Sequence, residues 1–320
     1  MAHDRMTAAD VLAVNNSEEI IGCIVQTALL YPELAVFPAS PVAKTKYSTL
    51  VRTALPSVGF RSINTGRDNS RATLTERTVE AMFLDASWDI DEAAARKAEW
   101  GVEAACGIQR QAHIDAAFGA IAAQIWQGTD ASASGFAGLN SLLNGLNDTM
   151  MVNAGGSGAA CTSIWGIQFN PRVVRAEGAE RQVAEVMLCF GLDARLAVGD
   201  TVYDTLPTSD GTTMWGWKQA ISGYVGLQAC NYDAFGRIAN LDSTHAASDD
   251  LIASLLSKFR VGRKPDYLFM NRTSMKALQD SRTATNSTGA PAPFPTEAFG
   301  VPIIVTDSIP DTEAAITATT

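Results

Sequence analysis

Histidine is scarce in this 320-residue chain: His3, His113 and His245 are the only three, and none lies within four positions of another. Metal sites built from closely spaced histidine pairs are therefore excluded, and any other would need long-range convergence. Cysteine is as thin. Cys23, Cys106, Cys161, Cys189 and Cys230 are odd in number, scattered and never spaced as CxxC. That pattern fits small apolar fillers in a reducing compartment and excludes a disulfide framework. No uncharged apolar run reaches the ~18 residues of a membrane span, and no basic segment followed by an apolar stretch and a cleavage site opens the chain. The chain reads as soluble and unexported. Positive charge is also in deficit, with 24 Lys and Arg against 34 Asp and Glu and a net charge of −10. Nucleic-acid readers draw on clustered Lys and Arg, so this balance argues against sequence-specific DNA binding.

Catalytic patterns are missing as well. The Gly155–Gly158 run lacks the Lys-Ser/Thr of a phosphate loop and precedes a strand, so it reads as a plain loop. Ser157 in GGSGA misses the nucleophile-elbow pattern at its last position. Asp89 and Asp91 sit where a helix begins, and capping accounts for both. No catalytic, cofactor-binding or metal-binding residues are assigned, and no cofactor is expected.

What is present has a definite order. Residues 1–41 read as an arm with two short helices, Thr7–Val14 and Ser17–Leu29; the second carries Ile20, Ile21, Ile24, Val25, Ala28 and Leu29. Both are too short to be stable alone in water, so each needs a surface. Pro32, Pro38 and Pro41 then stiffen the chain. Residues 42–88 read as a hairpin, with strands Lys44–Leu55 and Arg71–Leu84 around a polar turn. At 3.3 Å per residue this ribbon would be roughly 40 Å long, and an isolated two-stranded ribbon is marginal. Between Pro41 and Glu80 seven basic residues meet three acidic ones, a local excess of four positive charges in an acidic chain. Such a ribbon suits a neighbour's negative surface.

Residues 89–127 read as one long helix. Ile114, Phe118, Ile121 and Ile125 fall on one face and require cover, while Gly101, Gly107 and Gly119 each weaken the helix by about 1 kcal/mol. After Gly-rich turns, strands are expected at Ser163–Phe169, within 183–202, and as a pair, Lys218–Cys230 with Ala234–Leu241. Ser248, followed by Asp249 and Asp250, caps a helix carrying Leu251, Ile252, Leu255, Leu256 and Phe259. Strands at Tyr267–Met270 and Val301–Thr306, with a helix near Thr273–Leu278 between them, close a small α/β layer.

The order of parts, together with YPELAVFP, TLVRTALPSVGFRSIN, QIWQGTDASASGFAGL, RIANLD, YLFMNRTSMKAL and PTEAFGVPIIVTDSI, resembles the tailed-bacteriophage major capsid proteins of the HK97-type fold. The resemblance implies an α+β fold with an N-terminal arm (1–41) and an extended hairpin or E-loop (42–88). It also implies a peripheral domain with a spine helix (89–127 and about 172–241) and an axial α/β domain (128–171 and about 242–320). It implies self-assembly into pentamers and hexamers of an icosahedral head that encloses double-stranded DNA without reading its sequence, with assembly in the host cytoplasm and no membrane partner. Arg61, Arg67, Asp68 and Arg71 at the hairpin tip become expected intersubunit contacts. Ile114, Phe118, Ile121 and Ile125 become the packed face of the spine.

Two departures from the family shape these expectations. From Arg61 to Trp88 there is no Lys to form the covalent crosslink some relatives make. A noncovalent shell is expected. No long charged helical extension precedes the arm, so a separate scaffolding protein or a cleaved precursor is expected, with portal and decoration proteins as further partners. Two other readings are weighed: an encapsulin-like nanocompartment shell, and a soluble α/β hydrolase or transferase whose site escapes the sequence. The enzyme would require a converging set of titratable groups, and none can be named.

Overall fold

The computed structural model describes residues 31–317 apart from 43, 67–68, 130–134, 177–178, 192–195, 209, 285 and 287–289; of 172–183 only the backbone is described. The two arm helices expected at 7–14 and 17–29 lie outside the described residues. From Tyr31 the chain makes one helical turn, α1 (Pro32–Val36), with Pro32 at its start, where a missing N–H costs nothing. Phe37 then sits edge-on to Trp126 at 6.0 Å and to Phe169 at 5.0 Å, pinning the chain to the core. Strand β1 (Ala39–Val42) leads into the ribbon, β2 (Lys46–Ala54) and β3 (Thr73–Glu80).

The second ribbon strand ends earlier than its Thr/Val-rich sequence predicts. At Ala81 the N–H turns to the Thr45 carbonyl (2.7 Å), and the chain resumes as a separate strand, β4 (Met82–Asp85), paired with the body. Strand β5 (Trp88–Asp91) follows, and the Asp91 carboxylate accepts from Ala93 N–H to start α2 (Glu92–Lys97). The long helix α3 (Val102–Gln127) is separate from α2. The expectation of a single helix from residue 89 is thus corrected. Gly101 takes φ +91°, a conformation disfavoured for residues with a Cβ, and Ala98 closes α2 on the Ala95 carbonyl. Asp89 lies within β5, opposite Lys218 of β13, and the N-cap of α2 is Asp91. At 1.5 Å per residue, the 26 residues of α3 span about 39 Å.

Beyond α3 come α4 (Leu139–Leu142), β6 (Met151–Asn153), β7 (Thr162–Ile167), β8 (Arg172–Ala176), β9 (Ala179–Val183), β10 (Val186–Gly191) and β11 (Ala197–Val198). Next are β12 (Val202–Pro207), β13 (Thr213–Gln219), β14 (Ile221–Ala229) and β15 (Phe235–Leu241). The chain ends with α5 (Asp249–Lys258), β16 (Tyr267–Met270), α6 (Arg272–Ala284), β17 (Glu297–Ala298) and β18 (Val301–Val305).

Two sheets dominate. In the first, β14 is flanked by β10 and β11 along one edge and by β4 along the other, with β1 parallel to β10 outside it. The second has six strands in the order β17-β18-β16-β7-β15-β6. The expected pairing of Lys218–Cys230 with Ala234–Leu241 does not form. A short 3₁₀ turn, Tyr232–Ala234, entered through the Asn231 side chain on Asp233 N–H, carries the chain from the first sheet to the second. Strand β15 therefore stands beside β6 and β7, not with the strands of 172–229. Gly236 allows α5 to close on this sheet, since a methyl there would lie 2.8 Å from Leu255.

One continuous core joins both sheets, and the end of α3 is sunk in it. Ile125 and Trp126 are buried, with Trp126 against Phe269 at 5.1 Å. Helix α5 follows its sequence pattern: Ser248 Oγ accepts from Leu251 N–H, Ile252 and Leu255 are fully buried, and Gly262 at φ +79° turns the chain away.

Candidate assembly interface

The ribbon is fixed at its root and free at its tip. Its strands pair antiparallel from Lys46↔Glu80 to Ala54↔Thr73, and Lys46 and Glu80 form an ion pair. Tyr47 on β2 reaches back over the first sheet, donating to Gln228 Oε1 at 2.6 Å with Cys189 Sγ 3.0 Å away. Burial, followed by the neighbouring Cys189, pushes the Tyr47 phenol far above the usual range, so it remains a neutral donor. On β3, Val79 is buried in the core and the Arg77 guanidinium lies 3.4 Å from the Tyr232 ring centroid. These contacts set the direction in which the ribbon leaves the body.

Val51 still packs against the core, and beyond it the described residues 52–66 and 69–71 are exposed. The tip holds its own shape through Ser70 Oγ donating to the Ser57 carbonyl (2.6 Å) and Arg61 Nη1 donating to the Thr65 carbonyl (2.6 Å). Arg61 and Arg71 are exposed there, while Arg67 and Asp68 lie outside the described residues. Arg61 already spends one donor on its own loop. The sequence reading missed what stands beside these charges. Val58, Phe60 and Ile63 are each more than nine-tenths exposed, and Leu55 is 69% exposed. The signal was available, because four large apolar residues crowd into nine positions around Pro56 and Gly59. Their turn-forming neighbours made the stretch read as a polar loop. An apolar cluster of this kind on a projecting element marks a protein contact.

The spine face is only partly as expected. Ile121 and Ile125 are buried in the main core, and Ile114 packs on a second cluster formed by Trp88, Ile90 and Ile221. Phe118 does not join them. It is 42% exposed and faces a groove between α3 and strands β10 and β11. Helical spacing places Phe118 on the same face as Ile114, Ile121 and Ile125, but the described residues leave it open.

Among the described residues, no three His, Cys, Asp or Glu side chains are grouped to hold a metal ion, and no helix is long and apolar enough to cross a membrane. The most densely connected polar group is structural: the buried Arg237 side chain bonds Ser163, Asn140, the Leu143 carbonyl and Glu313. A two-sheet body threaded by one long helix, with a root-anchored ribbon projecting an uncovered apolar tip, is the build of a subunit completed by other subunits.

Known structures agree with that class. A chain of the cryo-EM structure of bacteriophage Epsilon15 matches with a TM-score of 0.69 at 19% identity, over 99% of both chains. The fold is that of HK97-like phage capsid proteins. Weaker likenesses, which bear no argument, are to Mycobacterium phage Adephagia (TM-score 0.41, 13% identity, 73% of this chain and 98% of that one) and to the SrpI encapsulin complex of Synechococcus elongatus (0.43, 10%, 75% and 97%). No curated protein matches the chain. The model of the major capsid protein GP7 family matches residues 16–317, and the chain belongs to that family. It is a major capsid protein of a tailed phage and a structural part of the virion, which implies assembly with copies of itself and a role without catalysis.

Proposed function

We propose that this chain forms the pentamers and hexamers of an icosahedral phage head, with each hairpin laid over the adjacent subunit. The observation that carries this reading is the contrast along the ribbon: Tyr47 and Arg77 hold its root, while Val58, Phe60 and Ile63 at its tip are each more than nine-tenths exposed among the described residues. The contact is mixed. The apolar side chains displace water, and Arg61, Arg67, Asp68 and Arg71 surround them as charged partners that fix register. Such a shell is noncovalent, consistent with the absence of Lys between Arg61 and Trp88.

In the fold's terms, residues 1–41 are the arm, 42–88 the E-loop, 89–127 and the strands of 172–229 the peripheral domain, and 128–171 with the chain beyond 230 the axial domain. The second boundary differs from the sequence expectation because β15 pairs with β7. The shell encloses double-stranded DNA by geometry; a chain with net charge −10 does not favour phosphate contact. Assembly takes place in the host cytoplasm with a separate scaffolding protein, a portal and a decoration protein as partners. Electron microscopy and size-exclusion chromatography of the purified chain at rising concentration test the reading. Capsomers or closed particles are expected, and a stable monomer at every concentration overturns it.

A further inference from the structure

The sheet of β5, β12 and β13 carries an aromatic group that the described residues leave open. In its register Tyr203 stands opposite Trp217 and Thr205 opposite Trp215, which puts all four on one face. The Tyr203 ring stacks on Trp215 at 5.4 Å with the planes 17° apart, and its centroid lies 5.0 Å from that of Trp217. Trp217 packs on the small cluster of Trp88, Ile90 and Ile221, but Tyr203 is 43% and Trp215 53% exposed. Strand β5 accompanies β13 only from Gly216 to Gln219, so Trp215 stands just past the end of that support. The Tyr203 hydroxyl donates to Glu92, which also pairs with Arg96 at 2.6 Å, so the stack is held in place before any partner arrives. Large rings fixed at a surface in this way are what a protein partner buries.

Charge and chemistry identify the partner. Residues 88–99 and 200–219, which hold this sheet and helix α2, carry seven acidic side chains against three basic ones, an excess of four negative charges. The ribbon of residues 41–80 has the same excess with the opposite sign. Its tip presents Val58, Phe60 and Ile63, each more than nine-tenths exposed, beside the exposed Arg61 and Arg71. An apolar knob edged by positive charge is the complement of an aromatic plate set in negative charge. The chain's own tip does not cover its own rings, because both surfaces are open in the same subunit. Since they are different surfaces of one chain, a contact between them is heterologous, and a heterologous contact that closes on itself makes a ring.

We infer that the stack of Tyr203 and Trp215 is the surface on which the hairpin tip of a second copy comes to rest, with Phe60 against the rings and Arg61 and Arg71 toward the acidic residues around them. The inference names the receiving half of the contact and rests on the shell reading above. The rival occupant of the same rings is a separate protein.

The test is a crosslink between copies of the full chain. One chain carries Ser62→Cys and another Thr205→Cys, each in a Cys23→Ser background; both positions are exposed, and Cys106, Cys161, Cys189 and Cys230 are buried. Equal amounts are assembled together and treated with a flexible bifunctional maleimide. The result expected is a product of dimer mass in denaturing gels from the mixture and from neither chain alone. Particles that form without this product overturn the inference. A second measurement removes the rings: Tyr203→Ala combined with Trp215→Ala is expected to cut particle yield by about tenfold or more while the unassembled subunit keeps its urea midpoint. Should that variant fail to fold, Thr205→Arg leaves the rings intact, adds a positive charge beside them and is expected to cut the yield likewise. Wild-type yield from a folded variant overturns the inference. The unaltered chain is scored in parallel by electron microscopy. If it forms no particles the shell reading itself falls, whereas particles without the crosslink remove only the receiving surface.

Discussion

Arg237 Nη2 lies 2.8 Å from Glu313 Oε2, and that contact ties the end of the chain to the middle of the second sheet. Arg237 is 2% exposed, and the same carboxylate oxygen accepts from Ser163 Oγ. Around it the tail is strapped down by backbone pairing of Cys161 with Glu313 and by Asn240 on both the N–H and the carbonyl of Ile316. Removing one partner of a buried ion pair leaves the other charge uncompensated. Arg237→Ala is therefore expected to destabilise the unassembled subunit by about 3–5 kcal/mol in urea unfolding. Truncation at 306 should cost a comparable amount, because it strands the guanidinium. A loss below about 1 kcal/mol, the range of an exposed pair, would show that the network is not a stabilising element.

Glu33 presents the opposite case. It is fully buried in α1, and among the described residues neither carboxylate oxygen has a hydrogen-bond partner. A buried polar group left unsatisfied costs roughly 1–3 kcal/mol, so an apolar side chain of similar length should fit this site better. Glu33→Met is expected to raise stability by about that amount, read as a higher urea midpoint with an unchanged slope. A lower midpoint would mean that the carboxylate has a function its surroundings do not reveal.

A pH dependence follows from Glu185. Burial raises its pKa, but hydrogen bonds from Asn170, Asn231 and Arg263, with the Arg263 charge, outweigh that and hold it below the usual carboxylate range. The folded state therefore prefers the ionised form more than the unfolded state does. The stabilisation is complete above the unfolded value of about 4.3 and is lost as pH falls through the lower folded value. Glu185→Gln should unfold more readily at pH 7 and show a shallower loss of stability between neutral and acid pH. If the acid limb keeps its wild-type slope, Glu185 is not among its causes.

Much of this architecture could be read from local chemistry. The helix opened by Ser248, the strands around Tyr267 and Val301, and the hairpin all carry signals confined to a few adjacent residues. What the sequence hid was decided at longer range. Gly101 reads as a tolerated helix glycine until its φ of +91° shows the chain turning there. The strands ending at Ala229 and beginning at Phe235 look like a hairpin, yet the turn between them changes sheets, because β15 finds β6 and β7 as partners. At the hairpin tip, charge was easy to see and apolar exposure was not. Phe60 and Phe118 have ordinary hydrophobic neighbours in sequence, and only three-dimensional packing leaves them uncovered.

The central claim is that the projecting hairpin tip joins one subunit to the next. The most direct measurement is deletion of residues 59–71, bridged by a short Gly/Ser turn, followed by circular dichroism and electron microscopy of the purified chain. The account predicts a folded subunit with an unchanged unfolding transition, since the described residues of the tip are all exposed, and no closed particles. Particles at wild-type yield would contradict it.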